Sequence, residues 1–265
     1  VPILWLRTSL GLLFSGLRCA YIKIYALGVE AYGVDGQIKI AKWREGGNLI
    51  GICLAALAPT MLSINGSNGY EKFAYLFCCF ILFATFLVAS DFVQNFSTAA
   101  MKTTSLFPKD THLRALLFLV FLNAMPVAVT STLFLFYVDN VLGLEAMAGP
   151  LLILFFLSAA FSAPVWTKIA EHYGPLLILR FSMFLSIFSF FWAYTLTTGD
   201  IISFSVICLA TGLSLGADMT LLPAIYAKSL IKTKNDANTG FGIWNFSNKI
   251  ALAVTAGLLL PIMEF

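Results

Sequence analysis

Apolar residues occur along this chain in long windows that short polar segments separate. From 74 to 88 and from 151 to 163 they fill nearly every position. The two-residue alternation typical of a half-buried strand is therefore absent from these windows. Membrane barrels need ~10-residue segments that do alternate. The pattern instead predicts lipid-spanning helices, which satisfy every backbone polar group within the segment.

A helix crosses ~30 Å of hydrocarbon with ~20 mainly apolar residues, and about eight windows of the chain are long enough. Turn-forming residues lie between them, as in the run from Asn65 to Gly69. The fold class predicted is all-α, a polytopic membrane helix bundle. Its expected spans are residues 4–29, 48–64, 73–93, 113–138, 146–169, 176–196, 201–226 and 239–263.

Composition supports lipid as the main solvent of this chain. Apolar residues make up 60% and charged residues only 11%, whereas a soluble domain carries roughly 25% charged residues. All the cysteines lie in apolar windows, without the spacing of a zinc site or a disulfide framework. We interpret them as reduced packing residues: Cys19, Cys53, Cys78, Cys79 and Cys208.

Basic residues predict the orientation of the spans, because short cytoplasmic loops are enriched in Lys and Arg. They cluster in alternate connectors: Lys39, Lys42 and Arg44, then Lys102, Lys109 and Arg114, then Lys168, then Lys228, Lys232 and Lys234. Both chain ends are therefore expected outside. Since Val1 is not a methionine and no signal peptide precedes the first window, we expect the chain to be truncated at its start. If the intact protein begins in the cytoplasm, an odd number of spans is expected upstream.

The longest connector, residues 94–112, divides the chain into two predicted parts. Residues 1–93 would form a partial amino-terminal half-bundle of three helices. Residues 113–265 would form a carboxy-terminal half-bundle of five. Residues 94–112 would be a central cytoplasmic loop between them.

Catalytic motifs are missing from the sequence. It has no glycine-rich phosphate loop, and His112 and His172 fall in different connectors. We therefore expect neither an enzyme nor a resident metal or cofactor. The expected partners are the lipid bilayer and a small solute, and nucleic acid is not among them.

Ionisable residues inside spans are the main functional candidates, because each costs several kcal/mol in lipid unless it faces a partner or a watery cavity. Lys249 lies near the middle of the last span. It could bind a solute or ion, or it could form a purely structural ion pair with a buried carboxylate. Asp218 is the carboxylate expected to pair with it. The alternative for Asp218 is a bond to backbone freed by Pro223.

Two further groups of candidates lie in the first two spans and their connector. Arg44 and Glu45 would stand at the cytoplasmic mouth of the second span on different helix faces, where Arg44 could be an interface anchor. Glu30 and Lys23 lie about two turns apart and could face one cavity. Arg18 lies nearer the outer half of the first span.

Aromatic and small residues carry weaker predictions. Trp244 lies deep in the last span near Lys249, so it could offer a stacking surface for a sugar-like ring. Two pairs of glycines at helical spacing predict close helix packing: Gly47 with Gly51, and Gly212 with Gly216.

Several segments together resemble the glycoside–pentoside–hexuronide:cation symporters, the melibiose permease-like family of the major facilitator superfamily. The resemblance begins at Ala41-Lys42-Trp43-Arg44-Glu45-Gly46 and covers essentially the whole chain. It continues through 49–51, 55–59, 122–126, 133–138, 164–166, 216–218 and 239–249.

On this resemblance, the eight spans are helices four to eleven of a twelve-helix carrier. The family's function implies symport of a sugar-like solute with Na⁺ or H⁺ by rocking of two half-bundles about a midplane site. Arg44 matches the family's fifth-helix arginine, and Lys249 matches its eleventh-helix lysine near the cation and sugar sites. Location in a bacterial inner membrane is expected.

The resemblance also has departures. Tyr21 and Tyr25 stand where melibiose permease has a helix-four aspartate and tryptophan, so a different solute is expected. A cavity walled by Tyr21, Tyr25, Asn123 and Trp244 could also suit lipid or drug-like cargo of the same superfamily. A membrane channel or scaffold is a further alternative, and would need rings of like polar residues along a pore.

Overall fold

The computed structural model describes residues 2–33, 36–63, 69–95 and 110–263. Within these ranges the chain forms long helices and no strand, which confirms the all-α prediction. The helices are α1 (Pro2–Tyr32), α2 (Gln37–Ser63), α3 (Gly69–Asn95), α4 (Thr111–Phe136), α5 (Ala148–Tyr173), α6 (Pro175–Ala193), α7 (Ile201–Lys232) and α8 (Ala237–Met263).

The surface of the bundle is apolar over much of its area. Phe86 is 78% exposed and Phe184 is 71% exposed, and large exposed apolar areas are unusual on a soluble monomer. Five segments in the described ranges are long and apolar enough to cross a membrane by length and composition alone. They are Arg7–Val29, Thr111–Val141, Glu145–Tyr173, Pro175–Ala193 and Ile201–Lys232. Together these features support lipid as the solvent of the bundle.

The second predicted span begins in the wrong place. It was expected at Asn48, but α2 begins at Gln37, so the polar residues assigned to a connector are helical. Gln37 explains part of this start, since its Nε2 donates to the Gly28 carbonyl of α1 at 3.0 Å and to the carbonyl of Gly33, the residue after α1, at 2.7 Å. These bonds cap the α1 end and fix the turn into α2.

The closest helix packing lies between α5 and α7. Side chains on Gly212 and Gly216 would collide with the Ser158 and Ser162 hydroxyls of α5. Ser162 instead donates to the Leu213 carbonyl at 3.2 Å. The predicted close packing is confirmed for this glycine pair. For Gly47 and Gly51 it is wrong, because open space surrounds the position of a Cβ at each.

The core joins helices from both sides of the predicted central loop. Tyr25 of α1 packs with Leu117 of α4, Tyr226 of α7, and Phe241 and Trp244 of α8. Helix α2 also packs on α5 and α7. Most of the loop, residues 96–109, lies outside the described residues, and the division into half-bundles stays a prediction.

A π-helical turn, Tyr137–Val141, follows α4 at the end that is predicted to lie outside the cell. Tyr137 donates its hydroxyl to the Ala193 carbonyl at 2.6 Å. The Gly199 amide donates to the Leu142 carbonyl at 3.0 Å. These bonds tie the connector after α4 to the connector after α6.

Candidate functional site

A cavity of about 390 Å³ lies between α1, α2, α4, α5, α7 and α8. Small-molecule sites typically enclose ~300–1,000 Å³ and combine apolar walls with a few polar groups. The walls here follow that description, with leucine, valine and phenylalanine side chains around a minority of charged and amide groups. Six of the residues singled out from the sequence line it: Tyr21, Tyr25, Asn123, Asp218, Trp244 and Lys249.

Helical spacing explains why these residues meet. Tyr21 and Tyr25 are four residues apart on α1 and therefore share a face. Asn123 lies on the face of α4 that packs towards α7 and α8, and Asp218 lies midway along α7. Trp244 and Lys249 lie about a turn and a half apart on α8. The structure thus brings these six positions around one space, while their roles stay predictions.

The Arg44–Glu45 pair differs from the sequence interpretation. The two side chains do not diverge, because Arg44 Nε donates to Glu45 Oε1 at 2.7 Å. Glu45 is only 1% exposed and also accepts a hydrogen bond from the Tyr25 hydroxyl, which contacts the Tyr21 hydroxyl. These contacts hold Arg44 against the bundle, and the interpretation of Arg44 as an interface anchor stays a prediction.

The Arg44 guanidinium also lies over the Tyr25 ring, 3.3 Å from its centroid. Cation–π contact and the ion pair together fix the guanidinium plane. Glu45, and not Arg44, faces the cavity. Arg44 therefore contacts two residues of the cavity wall without lining the cavity itself, and its role in the transport pathway stays a prediction.

Asp218 is held by neutral groups from two other helices. Its Oδ1 accepts from the Ser182 hydroxyl of α6 at 3.1 Å, and its Oδ2 accepts from Asn123 Nδ2 of α4 at 3.4 Å. It makes neither the backbone bond near Pro223 nor an ion pair with Lys249. Both structural interpretations of Asp218 are therefore wrong, and a carboxylate held by two neutral donors lines the cavity.

The wall formed by α1 and α8 carries two cations. Arg18 of α1 lines the cavity, and its Nη1 donates to Asn245 Oδ1 of α8 at 3.4 Å. Lys249 lies one turn beyond Asn245, and the two cationic groups are near enough to interact electrostatically. This wall is therefore positively charged.

Trp244 contributes to the core more than to an open binding surface. It is 6% exposed, and its ring centroid lies 4.9 Å from that of Tyr226 and 6.3 Å from that of Phe241. Neighbouring rings cover most of it, yet it also lines the cavity, and its role as a stacking surface stays a prediction. Glu30 belongs to α1, but its side chain lies outside the described residues.

Sequence reasoning missed Ser182 and Asn245 as site residues, and it named Glu45 and Arg18 without assigning them to the cavity. Arg18 carried a usable signal, because it precedes Tyr21 by three residues and Tyr25 by seven and so shares their helix face. Glu45 was placed before the second predicted span, which was expected to begin at Asn48, whereas α2 begins at Gln37. Ser182 had no local signal, since its role depends on how α6 packs against α7.

Comparison with known families gives a full-length match. The family model described as MFS/sugar transport protein matches residues 1–265. The chain belongs to this family. No curated protein and no solved structure matches it. This MFS/sugar transport family member is thus a multi-pass integral membrane protein of the major facilitator superfamily, and family membership points to transport of small molecules and away from catalysis.

Proposed function

We propose that the protein is a symporter in which the cavity binds a sugar-like solute together with Na⁺ or H⁺. The observation that carries the proposal is the position of the cavity between α1 and α2 on one side and α4, α5, α7 and α8 on the other. Carriers of this superfamily move solute by rocking two half-bundles around a site at their interface. Helices that precede and follow the predicted central loop both contribute to the walls.

The polar groups of the cavity suit a solute with many hydroxyl groups. A sugar hydroxyl both donates and accepts hydrogen bonds. Asp218 and Glu45 supply acceptors, Arg18 and Lys249 supply donors, and Asn123 can supply either. A purely apolar cargo would desolvate these groups and leave their remaining hydrogen-bonding capacity unmet, at a cost of about 1–3 kcal/mol for each group.

Coupling to a cation is the second part of the proposal. Asp218 meets no cationic partner among the described side chains, whereas Glu45 is already paired with Arg44. A carboxylate held by neutral donors can take up a proton or offer oxygen atoms to Na⁺. Asp218 is therefore the proposed coupling group. We place the protein in a bacterial inner membrane, with its basic connectors in the cytoplasm.

Uptake by the full-length protein in proteoliposomes tests the proposal. Radiolabelled monosaccharides and disaccharides are offered with an imposed Na⁺ gradient, with an imposed pH gradient, and with neither. We expect one solute class to accumulate only when one of the gradients is present. Accumulation that is the same with and without the gradients would rule out coupling. Transport of lysolipids or hydrophobic cations, without transport of sugars, would show that the solute is not a sugar.

A further inference from the structure

A serine of α6 contacts the cavity carboxylate from outside the cavity. Ser182 is fully buried and does not line the cavity, whereas Asp218 does. The Ser182 Oγ lies 3.1 Å from Asp218 Oδ1 and 2.8 Å from the carbonyl oxygen of Leu179 on its own helix. A hydroxyl carries a single proton, so it donates a full hydrogen bond to only one of these two acceptors at a time. Ser182 therefore has two hydrogen-bonding states.

Packing between α6 and α7 fixes the position of this hydroxyl. Ile178 lies one turn before Ser182 on the same face of α6. It packs in one cluster with Ala217 and Leu221 of α7, the first directly before Asp218 and the second three residues after it. Rotation about the Cβ–Oγ bond of Ser182 is enough to move the proton from one acceptor to the other. The hydroxyl can therefore change partner while both helices stay in place.

Both neighbours of Asp218 can change from donor to acceptor. When Asp218 is ionised and has no cation bound, the Ser182 hydroxyl and the Asn123 amide donate to it. When a cation is bound, Ser182 can turn its proton to Leu179 and offer an oxygen lone pair, and Asn123 can offer its amide oxygen. A lysine or arginine has no lone pair to offer. Neutral partners of this kind thus satisfy the carboxylate in both the empty and the occupied state.

The charged residues around Asp218 do not make the same contacts. The other charged residues that line the cavity are Arg18, Glu45 and Lys249. Among the described side chains, none of these forms an ion pair with Asp218. Arg180 is the charged residue of α6, and its side chain is exposed. Ser182 and Asn123 are therefore the groups that respond directly to a change in the charge of Asp218.

We infer that Ser182 is a positioning residue of the coupling step, whose hydroxyl donates to Asp218 in the empty carrier and turns to Leu179 when a coupling cation binds. If the cation is H⁺, the protonated Asp218 donates to the Ser182 oxygen. If it is Na⁺, the same oxygen is a ligand of the kind that hard cations prefer. The inference rests on the proposed function and adds α6, whose residues do not line the cavity, to the coupling site.

The cation dependence of uptake by the full-length protein in proteoliposomes tests this role. The solutes are radiolabelled monosaccharides and disaccharides, and the cations are Na⁺, varied at fixed pH, and H⁺, varied without Na⁺. In Ser182→Ala, the concentration of coupling cation that gives half-maximal uptake should change by about tenfold, which corresponds to ~1.4 kcal/mol. Solute exchange at equal concentrations and saturating cation should keep its wild-type rate, because Ser182 does not line the cavity.

Ser189→Ala is the matched control for this experiment. Ser189 is a second buried serine of α6, two turns after Ser182, and its hydroxyl donates to the Leu185 carbonyl at 2.8 Å. This variant should keep the wild-type half-maximal concentration. An unchanged value in Ser182→Ala, or loss of exchange together with accumulation, would overturn the role of Ser182 and leave the symporter proposal intact. Wild-type uptake that responds to neither Na⁺ nor pH would overturn both.

Discussion

Arg44 and Glu45 are consecutive residues of α2, yet their side chains form an ion pair with 2.7 Å between Arg44 Nε and Glu45 Oε1. The Tyr25 hydroxyl donates to the same carboxylate, and the Tyr25 ring lies under the guanidinium. Three side chains from two helices thus form one closed cluster beside the cavity. Each member satisfies a group that would otherwise be buried without a partner.

This cluster predicts strong coupling between the two charged residues. Glu45→Leu leaves the Arg44 charge unpaired in the wild type, but not in a protein that already carries Arg44→Leu. The Glu45→Leu substitution should therefore destabilise the wild type more than it destabilises the Arg44→Leu variant. We expect an interaction free energy of about 0.5–3 kcal/mol. Unfolding of the purified protein in detergent, followed for the wild type and all three variants, measures it. Strictly additive effects would contradict the cluster.

The α5–α7 interface predicts a large difference between two glycine substitutions. Gly216→Ala places a methyl group against the Ser162 hydroxyl and the Ala159 carbonyl, so overpacking should cost about 1–3 kcal/mol. Gly47→Ala meets open space, so it should be neutral or slightly stabilising. Melting temperatures of the two variants in detergent compare these costs. Equal shifts would mean that α5 and α7 are not packed this closely.

Asp218 predicts a separation between coupled and uncoupled transport. Asp218→Asn keeps the size of the side chain but removes the negative charge that the coupling cation needs. Gradient-driven accumulation should fall by about tenfold or more, since a charged interaction of at least ~1.4 kcal/mol is lost. Solute exchange at equal concentrations should persist. Asp200→Asn is the control, because Asp200 lies in the connector before α7 and bonds to Thr197. Wild-type accumulation in Asp218→Asn would remove Asp218 from the coupling step.

The fold followed from the sequence where apolar length decides the structure. Spans such as 201–226 and 113–138 were found because each is mainly apolar and contains a single charged residue. The start of α2 was missed because Lys39, Lys42 and Arg44 resemble a connector when charge alone is considered. Their helix is stabilised by tertiary contacts, including the bonds from Gln37 to α1, and such contacts are not visible in a hydropathy pattern.

The candidate site was predictable in part. A charge in a lipid-spanning window is costly, so Asp218 and Lys249 could be recognised as candidates from the sequence. Their partners could not, because the bond from Ser182 to Asp218 depends on the rotation of α6 against α7. Asn245 could not be recognised from the sequence either, since the sequence shows neither the burial of an amide nor the absence of a hydrogen-bond partner for its nitrogen.

Uptake by two tryptophan variants of α4 tests most directly whether the cavity is the transport pathway. Ala124 lines the cavity, whereas Ala115 is exposed on the opposite face of the same helix, nine residues earlier. In the full-length protein, Ala124→Trp should fill the cavity and abolish solute uptake at a wild-type level of protein in the membrane. Ala115→Trp should retain most of the wild-type rate. Wild-type uptake by Ala124→Trp would contradict the account.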